Sequence, residues 1–219
     1  MPRVWFLAES ATRIVVLISG RGSNALALAQ ASAKSPATEV VGVLSNEPTA
    51  TGLQAAAELG LHTACVAHRD FPSRAAFDQA LREKIDQLTP DLVVLAGFMR
   101  ILTPAFIAHF QGRLINIHPS LLPAYPGLDT HQRALRDGVS WHGATVHFVS
   151  DELDGGPRIA CARVSVLSED TADSLATRVL AQEHRLLPSV VEWFATGRLR
   201  LESGMPVLDD VTLSSPHQL

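Results

Sequence analysis

The stretch Arg13-Ile14-Val15-Val16-Leu17-Ile18-Ser19-Gly20-Arg21-Gly22-Ser23-Asn24 decides the fold. Its first seven residues are rich in β-branched side chains and lack polar alternation, the pattern of a strand covered on both faces. A glycine-containing turn follows at once, and an alanine-rich helix then reaches about Ala33. The same order of events recurs downstream. A strand over Glu39 to Ser45 passes through Asn46-Glu47-Pro48 into a helix at about Thr51–Leu59. A shorter strand, His62 to Ala67, precedes a helix with Ser73 as its N-cap, which must stop before Pro90. Asp91-Leu-Val-Val-Leu-Ala96 is again a buried strand. Strands alternating with helices imply βαβ units and a parallel sheet. The expected fold class is therefore α/β: a doubly wound, mostly parallel sheet of Rossmann-like type.

The second half changes character and adds an antiparallel C-terminal part. Arg113-Leu-Ile-Asn-Ile-His118 is a strand running into Pro119-Ser120-Leu121-Leu122-Pro123, and a proline-rich loop continues to Gly127. Strands Gly143 to Ser150 and Arg158 to Val166 are expected to pair antiparallel across Asp151-Glu-Leu-Asp-Gly-Gly156. A long helix from about Thr171 to Ala195 carries Leu175, Val179, Leu186, Val190 and Phe194 near helical spacing, and Gly197 suits its end. Residues 1–12 read as an N-terminal extension and residues 203–219 as a weakly ordered tail. Between them no repeat or Ser/Gly linker divides the chain, so 1–219 is expected to hold a single domain.

Composition narrows the function classes. The 219 residues suffice for one sizeable core and are few for two. Eighteen basic and 22 acidic side chains give a net charge of −4, which argues against a nucleic-acid groove but leaves room for a local cationic pocket. Cys65 and Cys161 lie far apart, as in small core hydrophobes of a reducing cytosol rather than a zinc site. No run approaches the ~18 apolar residues of a membrane helix, and Val4–Ala8 is too brief for a signal peptide. A cytoplasmic protein with no membrane partner is expected. Neither a heptad seam nor an obvious edge patch sets an oligomeric state.

Two motifs carry chemistry. Gly20-x-Gly22-Ser23-Asn24 joins a strand to a helix, where free backbone N–H groups and the helix dipole favour an anion. Ala25 replaces the third glycine of a dinucleotide fingerprint, and no Gly-Lys-Ser/Thr follows. One phosphate monoester fits such a loop better than a nucleotide cofactor; a tight turn with Ser23 as N-cap is the other reading. Asn116 and His118 lie two apart at a strand's carboxyl end, so both point to one face, where open α/β sheets bind ligands. An Asn amide and a protonated His can both donate to a developing oxyanion. The carboxylate that would hold such an imidazole is sought in Asp154, ahead of two glycines. Strand capping and an ordinary turn would account for the same three residues.

The run Asn116-Ile-His-Pro-Ser-Leu-Leu-Pro123 resembles the signature of the folate-dependent formyltransferases, with Asp154 in the matching acidic Gly-Gly loop. Gly20–Asn24, Leu95–Leu102, Val146–Val149 and Gln182-Glu183-His184 fit that family in order, so the resemblance spans about residues 13 to 201. It implies transfer of the formyl group of 10-formyltetrahydrofolate, a co-substrate, to the amine of 5'-phosphoribosylglycinamide in purine synthesis, without a metal. It also implies a catalytic Asn116, His118 and Asp154, with Asn116 and cationic His118 stabilising a tetrahedral intermediate and Asp154 helping order a proton-carrying water. Gly22, Ser23 and Asn24 match the substrate-phosphate loop, and Glu183 the acid facing the glycinamide end. Met99, Arg100, Ile101 and Leu102, with Asn116, match the folate side, and Arg74 a further folate-side position. From periodicity alone Met99, Ile101 and Leu102 equally suit core packing, and Arg74 a solvated charge. Related activities on the same module, formylation of methionyl-tRNA or hydrolysis of formyl-folate, would be expected to bring a basic RNA-binding domain or a preceding regulatory domain. A non-catalytic folate or nucleotide sensor would have little reason to retain all three catalytic positions. The remaining histidines, His62, His68, His109, His142 and His147, read as core or surface residues, with His131 near the substrate loop a candidate exception. His142 and His147, five apart on a strand, cannot share a metal.

Overall fold

Strand β1 (Thr12–Ile18) stands where the apolar run places it, and both of its faces are covered. The computed structural model describes residues 10–219; of the expected extension 1–12, residues 1–9 lie outside the described residues. Ile14, Val16 and Ile18 enter one core cluster, whereas Val15 and Leu17 enter another on the opposite side. That alternation explains why the strand shows no polar face in its sequence.

From β1 the chain runs through α1 (Ser23–Ser32), β2 (Thr38–Ser45), α2 (Thr51–Glu58), β3 (Thr63–Cys65), α3 (Arg74–Asp86), β4 (Leu92–Leu95), α4 (Pro104–His109) and β5 (Leu114–His118). It continues with α5 (Thr130–Arg136), β6 (Trp141–Phe148), β7 (Arg158–Ser165) and α6 (Ala172–Ala195). Four short strands close it: β8 (Leu199–Glu202), β9 (Met205–Leu208), β10 (Val211–Thr212) and β11 (His217–Gln218). The main sheet has the order β11-β7-β6-β5-β4-β1-β2-β3. β1 through β5 pair in parallel, and β6 is antiparallel to both β5 and β7. Residues 203–219, expected as a weakly ordered tail, carry β9 to β11: β9 and β10 build a small antiparallel sheet on β8, and β11 adds to β7.

The helices form two layers. Residues of α1 and α6 (Ala25, Leu28, Leu175, Val179, Leu186, Val190) fill one cluster; Phe77, Leu81 and Ile85 of α3 and Phe106 of α4 fill the other. Ser73 caps α3 by accepting from the Ala76 N–H at 3.2 Å. Thr171 and Ser174 make a reciprocal capping box for α6. Ser23, however, is not the N-cap of α1. That position is Gly22 at φ 68°, with no side-chain cap bond, because the turn needs a left-handed residue there. Helices α4 and α5 are too short, at six and seven residues, for apolar periodicity to disclose.

The chain reverses its winding between β1 and β4, so the crevice at their carboxyl ends is the topological switch point. Core position Leu186 is fully buried, whereas Trp141 at the start of β6 is 55% exposed. Leu186→Ala should lower unfolding free energy by about 3 kcal/mol, whereas Trp141→Ala should change it by no more than about 0.5 kcal/mol, both read from urea titrations.

Candidate active site

Asn116 and His118 occupy the last turns of β5 and point to one side of it, facing β6. Period-2 geometry and antiparallel register set their neighbours: Asn116 lies opposite His147 and His118 opposite Thr145. The third member arrives on the loop after β6. Asp154 sits at φ 52°, and its carboxylate is turned back over the tip of β5. Oδ2 lies 3.4 Å from His118 Nδ1 and accepts from the Gly127 N–H at 2.8 Å. Oδ1 lies 3.5 Å from Asn116 Nδ2 and 3.8 Å from His147 Nε2. The three residues singled out from sequence therefore converge on one carboxylate, and all of this is nearly buried, with side-chain exposures of 7% for His118 and 10% for Asp154.

Hydrogen bonds assign the protons. His118 Nε2 donates to the Tyr125 carbonyl at 2.8 Å, which leaves Nδ1 facing the carboxylate. His147 meets one acceptor and one donor. Its Nδ1 donates to the Phe148 carbonyl at 2.9 Å, so Nε2 is an acceptor for the Asn116 amide at 3.1 Å. Burial pushes the His147 ring below the usual histidine range, consistent with this neutral form. Asn116 Nδ2 is thus bonded to His147 and makes a longer contact, at 3.5 Å, with Asp154.

His147 is a site residue that sequence reasoning placed in the core. The signal was present in its pairing with Asn116, which requires the register of β5 on β6. Tyr125 and Gly127 act through backbone atoms, for which side-chain identity offers no cue. Their loop is pinned by Arg133, whose guanidinium donates to the Pro126 and Leu128 carbonyls at 2.6 and 3.2 Å and lies over the Tyr125 ring. His131 approaches His142, with 3.1 Å between Nδ1 and Nε2, and burial together with that neighbour pushes His142 down to about 4. Among the described residues no group of three or more His, Cys, Asp or Glu side chains could hold a metal ion. No helix among them is long and apolar enough to cross a membrane.

The glycine loop lies on the same edge of the sheet, two strands from Asn116, or about 10 Å across β4. Gly52 of α2 packs against it: its N–H donates to the Gly20 carbonyl at 3.0 Å, and an added Cβ would come within 2.9 Å of that oxygen. Asn24 in the first turn of α1 donates to Glu183 of α6 at 2.5 Å, and both are buried. Burial raises the Glu183 carboxyl above its ordinary range, while the Asn24 amide opposes the shift. Gly22, Ser23, Asn24 and Glu183 are therefore grouped. On the other side of the switch point, Met99 and Ile101 are 64% and 57% exposed and Arg100 is also exposed, but Leu102 is buried among Phe77 and Phe106. Of the apolar run, core packing describes Leu102 alone. Arg74, the first residue of α3, is exposed.

Fold and site together define a doubly wound group-transfer enzyme, with an imidazole, an amide and a carboxylate at the tip of one strand and a glycine loop two strands away. The chain belongs to the formyl transferase family, which it matches over residues 12–191. A phosphoribosylglycinamide formyltransferase of Escherichia coli (strain K12) is 51% identical over 197 residues, 90% of this chain and 93% of the relative. A trifunctional purine biosynthetic protein adenosine-3 of Bos taurus is 41% identical over 190 residues, 86% of this chain and 19% of that longer protein. Among solved structures, the phosphoribosylglycinamide formyltransferase of Coxiella burnetii in complex with CHES superposes with a TM-score of 0.92 at 48% identity, covering 95% of this chain and 99% of that one.

The acidic loop reaches His118 only because Gly156 sits flush on β6, where an added Cβ would lie 1.9 Å from the Phe148 carbonyl oxygen. Gly156→Ala should cost about 1–3 kcal/mol of stability and cut turnover far more than binding of the phosphorylated substrate, checked by thermal unfolding and initial rates.

Proposed function

We propose that this enzyme transfers the formyl group of 10-formyltetrahydrofolate to the amine of 5'-phosphoribosylglycinamide, a step of purine synthesis, by direct attack through a tetrahedral intermediate. The observation that carries the reading is the convergence of Asn116, His118 and Asp154 at 3.4–3.5 Å on the strand tip. The names and high identity of the relatives support the choice of substrates.

In this reading the amine attacks the formyl carbon, and negative charge develops on the formyl oxygen. An Asn116 N–H, released from its long contact with Asp154, and the protonated His118 ring supply the donors for that charge in a largely buried site. Asp154 holds the imidazolium form and orients it. With the Gly127 N–H already bonded to Asp154, its carboxylate is fixed before substrate arrives, so the ordering cost is met in the fold. A water ordered by Asp154 carries the proton from the attacking amine to the departing N10 of the folate. No bond to the enzyme forms, so rate enhancement rests on positioning and electrostatics.

The acceptor is placed by its two ends. Gly22, Ser23 and Asn24 take the phosphate at the uncapped start of α1, where the helix dipole favours an anion. Glu183, about three turns along α6 and bonded to Asn24, faces the glycinamide end. Met99, Arg100, Ile101 and Asn116 take the folate, its flat ring against the exposed apolar side chains; Leu102 supports them from beneath and Arg74 lies towards the folate side. Formylation of methionyl-tRNA is disfavoured by the net charge of −4, and simple hydrolysis by the grouping of an anion loop with Glu183. A cytoplasmic location goes with this reading.

His118→Ala should lower kcat by about 10³-fold while leaving the KM values within about threefold, measured by folate absorbance with and without phosphoribosylglycinamide. Formyl loss from the donor that ignores the acceptor would contradict the transferase reading.

The raised Glu183 carboxyl gives a pH signature. Folded protein holds this proton more tightly than unfolded protein, so the carboxylate costs stability as pH rises through the raised value, and the neutral acid accumulates as pH falls. The KM for phosphoribosylglycinamide should therefore climb as pH falls through that raised value, and Glu183→Gln should hold it high and flat across the same range.

A further inference from the structure

The segment between β4 and α4 has no regular secondary structure, yet two of its backbone N–H groups are held by side chains from elsewhere in the fold. At its start the Met99 N–H donates to Ser19 Oγ at 2.7 Å. At its end the Thr103 N–H donates to Asp78 Oδ2 at 2.6 Å. Ser19 follows β1, 80 residues earlier in the chain, and its N–H also donates to the Gly97 carbonyl at 3.0 Å. Its hydroxyl in turn donates to Asn46 Oδ1 at 2.5 Å, and Asn46, which follows β2, is 1% exposed. Asp78 belongs to α3 and is 3% exposed. Phe98, just before the first anchor, and Leu102, just before the second, are buried in the core, while Met99, Arg100 and Ile101 are turned out. The result is a strap fastened at both ends, with its outward side chains at the switch-point crevice.

Fold stability alone is a poor explanation for Asp78. A carboxylate is among the most costly groups to bury, and its Oδ1 has no hydrogen-bond partner among the described residues. The Thr103 hydroxyl caps α4 by accepting from the Phe106 N–H, while Asp78 takes the N–H of Thr103 itself. What the buried carboxylate does supply is a fixed point for the strap. It also lies four residues after Arg74 on α3, so one helical face carries both the clamp and the exposed guanidinium.

We propose that Ser19 and Asp78 are positioning residues for the formyl donor: by clamping the backbone at Met99 and Thr103 they hold the 99–101 side chains at the spacing the folate ring requires. The inference rests on the donor-side reading of Met99–Ile101 given above. Neither residue makes a hydrogen bond to Asn116, His118 or Asp154 among the described residues.

The test is steady-state kinetics in both substrates on the full chain, with thermal unfolding of each variant alongside. Ser19→Ala and Asp78→Ala should each raise the KM for 10-formyltetrahydrofolate by about tenfold, with kcat and the KM for phosphoribosylglycinamide held within about threefold. Asp78→Asn keeps an acceptor for the Thr103 N–H and should restore most of the donor affinity. A paired Met99→Ala/Ile101→Ala variant separates the two levels of the claim. Should that variant leave the donor KM unchanged, the donor-side reading falls and the clamp with it. Should it raise the donor KM while folded Ser19→Ala and Asp78→Ala do not, the clamp alone is overturned. An equal rise in both KM values would mean general loosening and would also overturn it. If Asp78→Ala fails to fold, Ser19→Ala and Asp78→Asn decide the matter.

Discussion

One buried carboxylate organises this molecule's chemistry. Asp154 is brought back over β5 by a loop that leaves β6, turns through a left-handed residue, and returns flush against the strand at Gly156. There it meets the His118 ring, the Asn116 amide and the Gly127 N–H. A charge so nearly buried is tolerable only with such partners, since an unpaired one would cost several kcal/mol, of order 3–5 by analogy with broken buried pairs. The dependence runs both ways. The imidazole has its carboxylate only while the acidic loop is seated, and the proline-rich loop is tied through Gly127 and Tyr125 to the same two groups.

The rest of the architecture serves to bring other binding elements within reach of that point. Parallel strands end on a common edge, and the reversal of winding between β1 and β4 opens that edge to a ligand. The glycine loop after β1 and the strap after β4 flank the opening, and β5 with its Asn and His lies next in line. Antiparallel β6 does something a parallel strand at that position could not. It places His147 directly across from Asn116, where a neutral ring fixes the amide, and its outgoing loop carries the carboxylate. The antiparallel C-terminal part is thus the portion of the sheet that completes the site.

Much of this was legible in the residues. Buried strands announced themselves by unbroken β-branched runs, and the long helix by Leu175, Val179, Leu186 and Val190, all of which are fully buried. Strand period puts Asn116 and His118 on one face and the two glycines make Asp154 a candidate, but only the family resemblance joins the three into one site. What stayed hidden has a common physical cause: it depends on backbone geometry or on contacts distant in sequence. Gly22 displaced Ser23 as the cap of α1 because of a φ angle, not a side chain. His147 was read as core because its partner is 31 residues away across a sheet whose register had to be known. Leu102 could not be separated from Met99 and Ile101 by hydrophobicity, since all three are apolar and only the turn of the strap sends one inward. The terminal strands escaped because two- to four-residue strands pair through the main chain, with too few positions for a pattern.

The central claim is that His118 and Asp154 work as one unit. A double-mutant cycle on kcat, with His118→Ala, Asp154→Ala and both together, tests it most directly. If they act as a couple, the double variant will be no slower than the slower single variant by more than about threefold. If the two losses multiply instead, the carboxylate and the imidazole contribute independently, and the contact at the strand tip is not what drives the reaction.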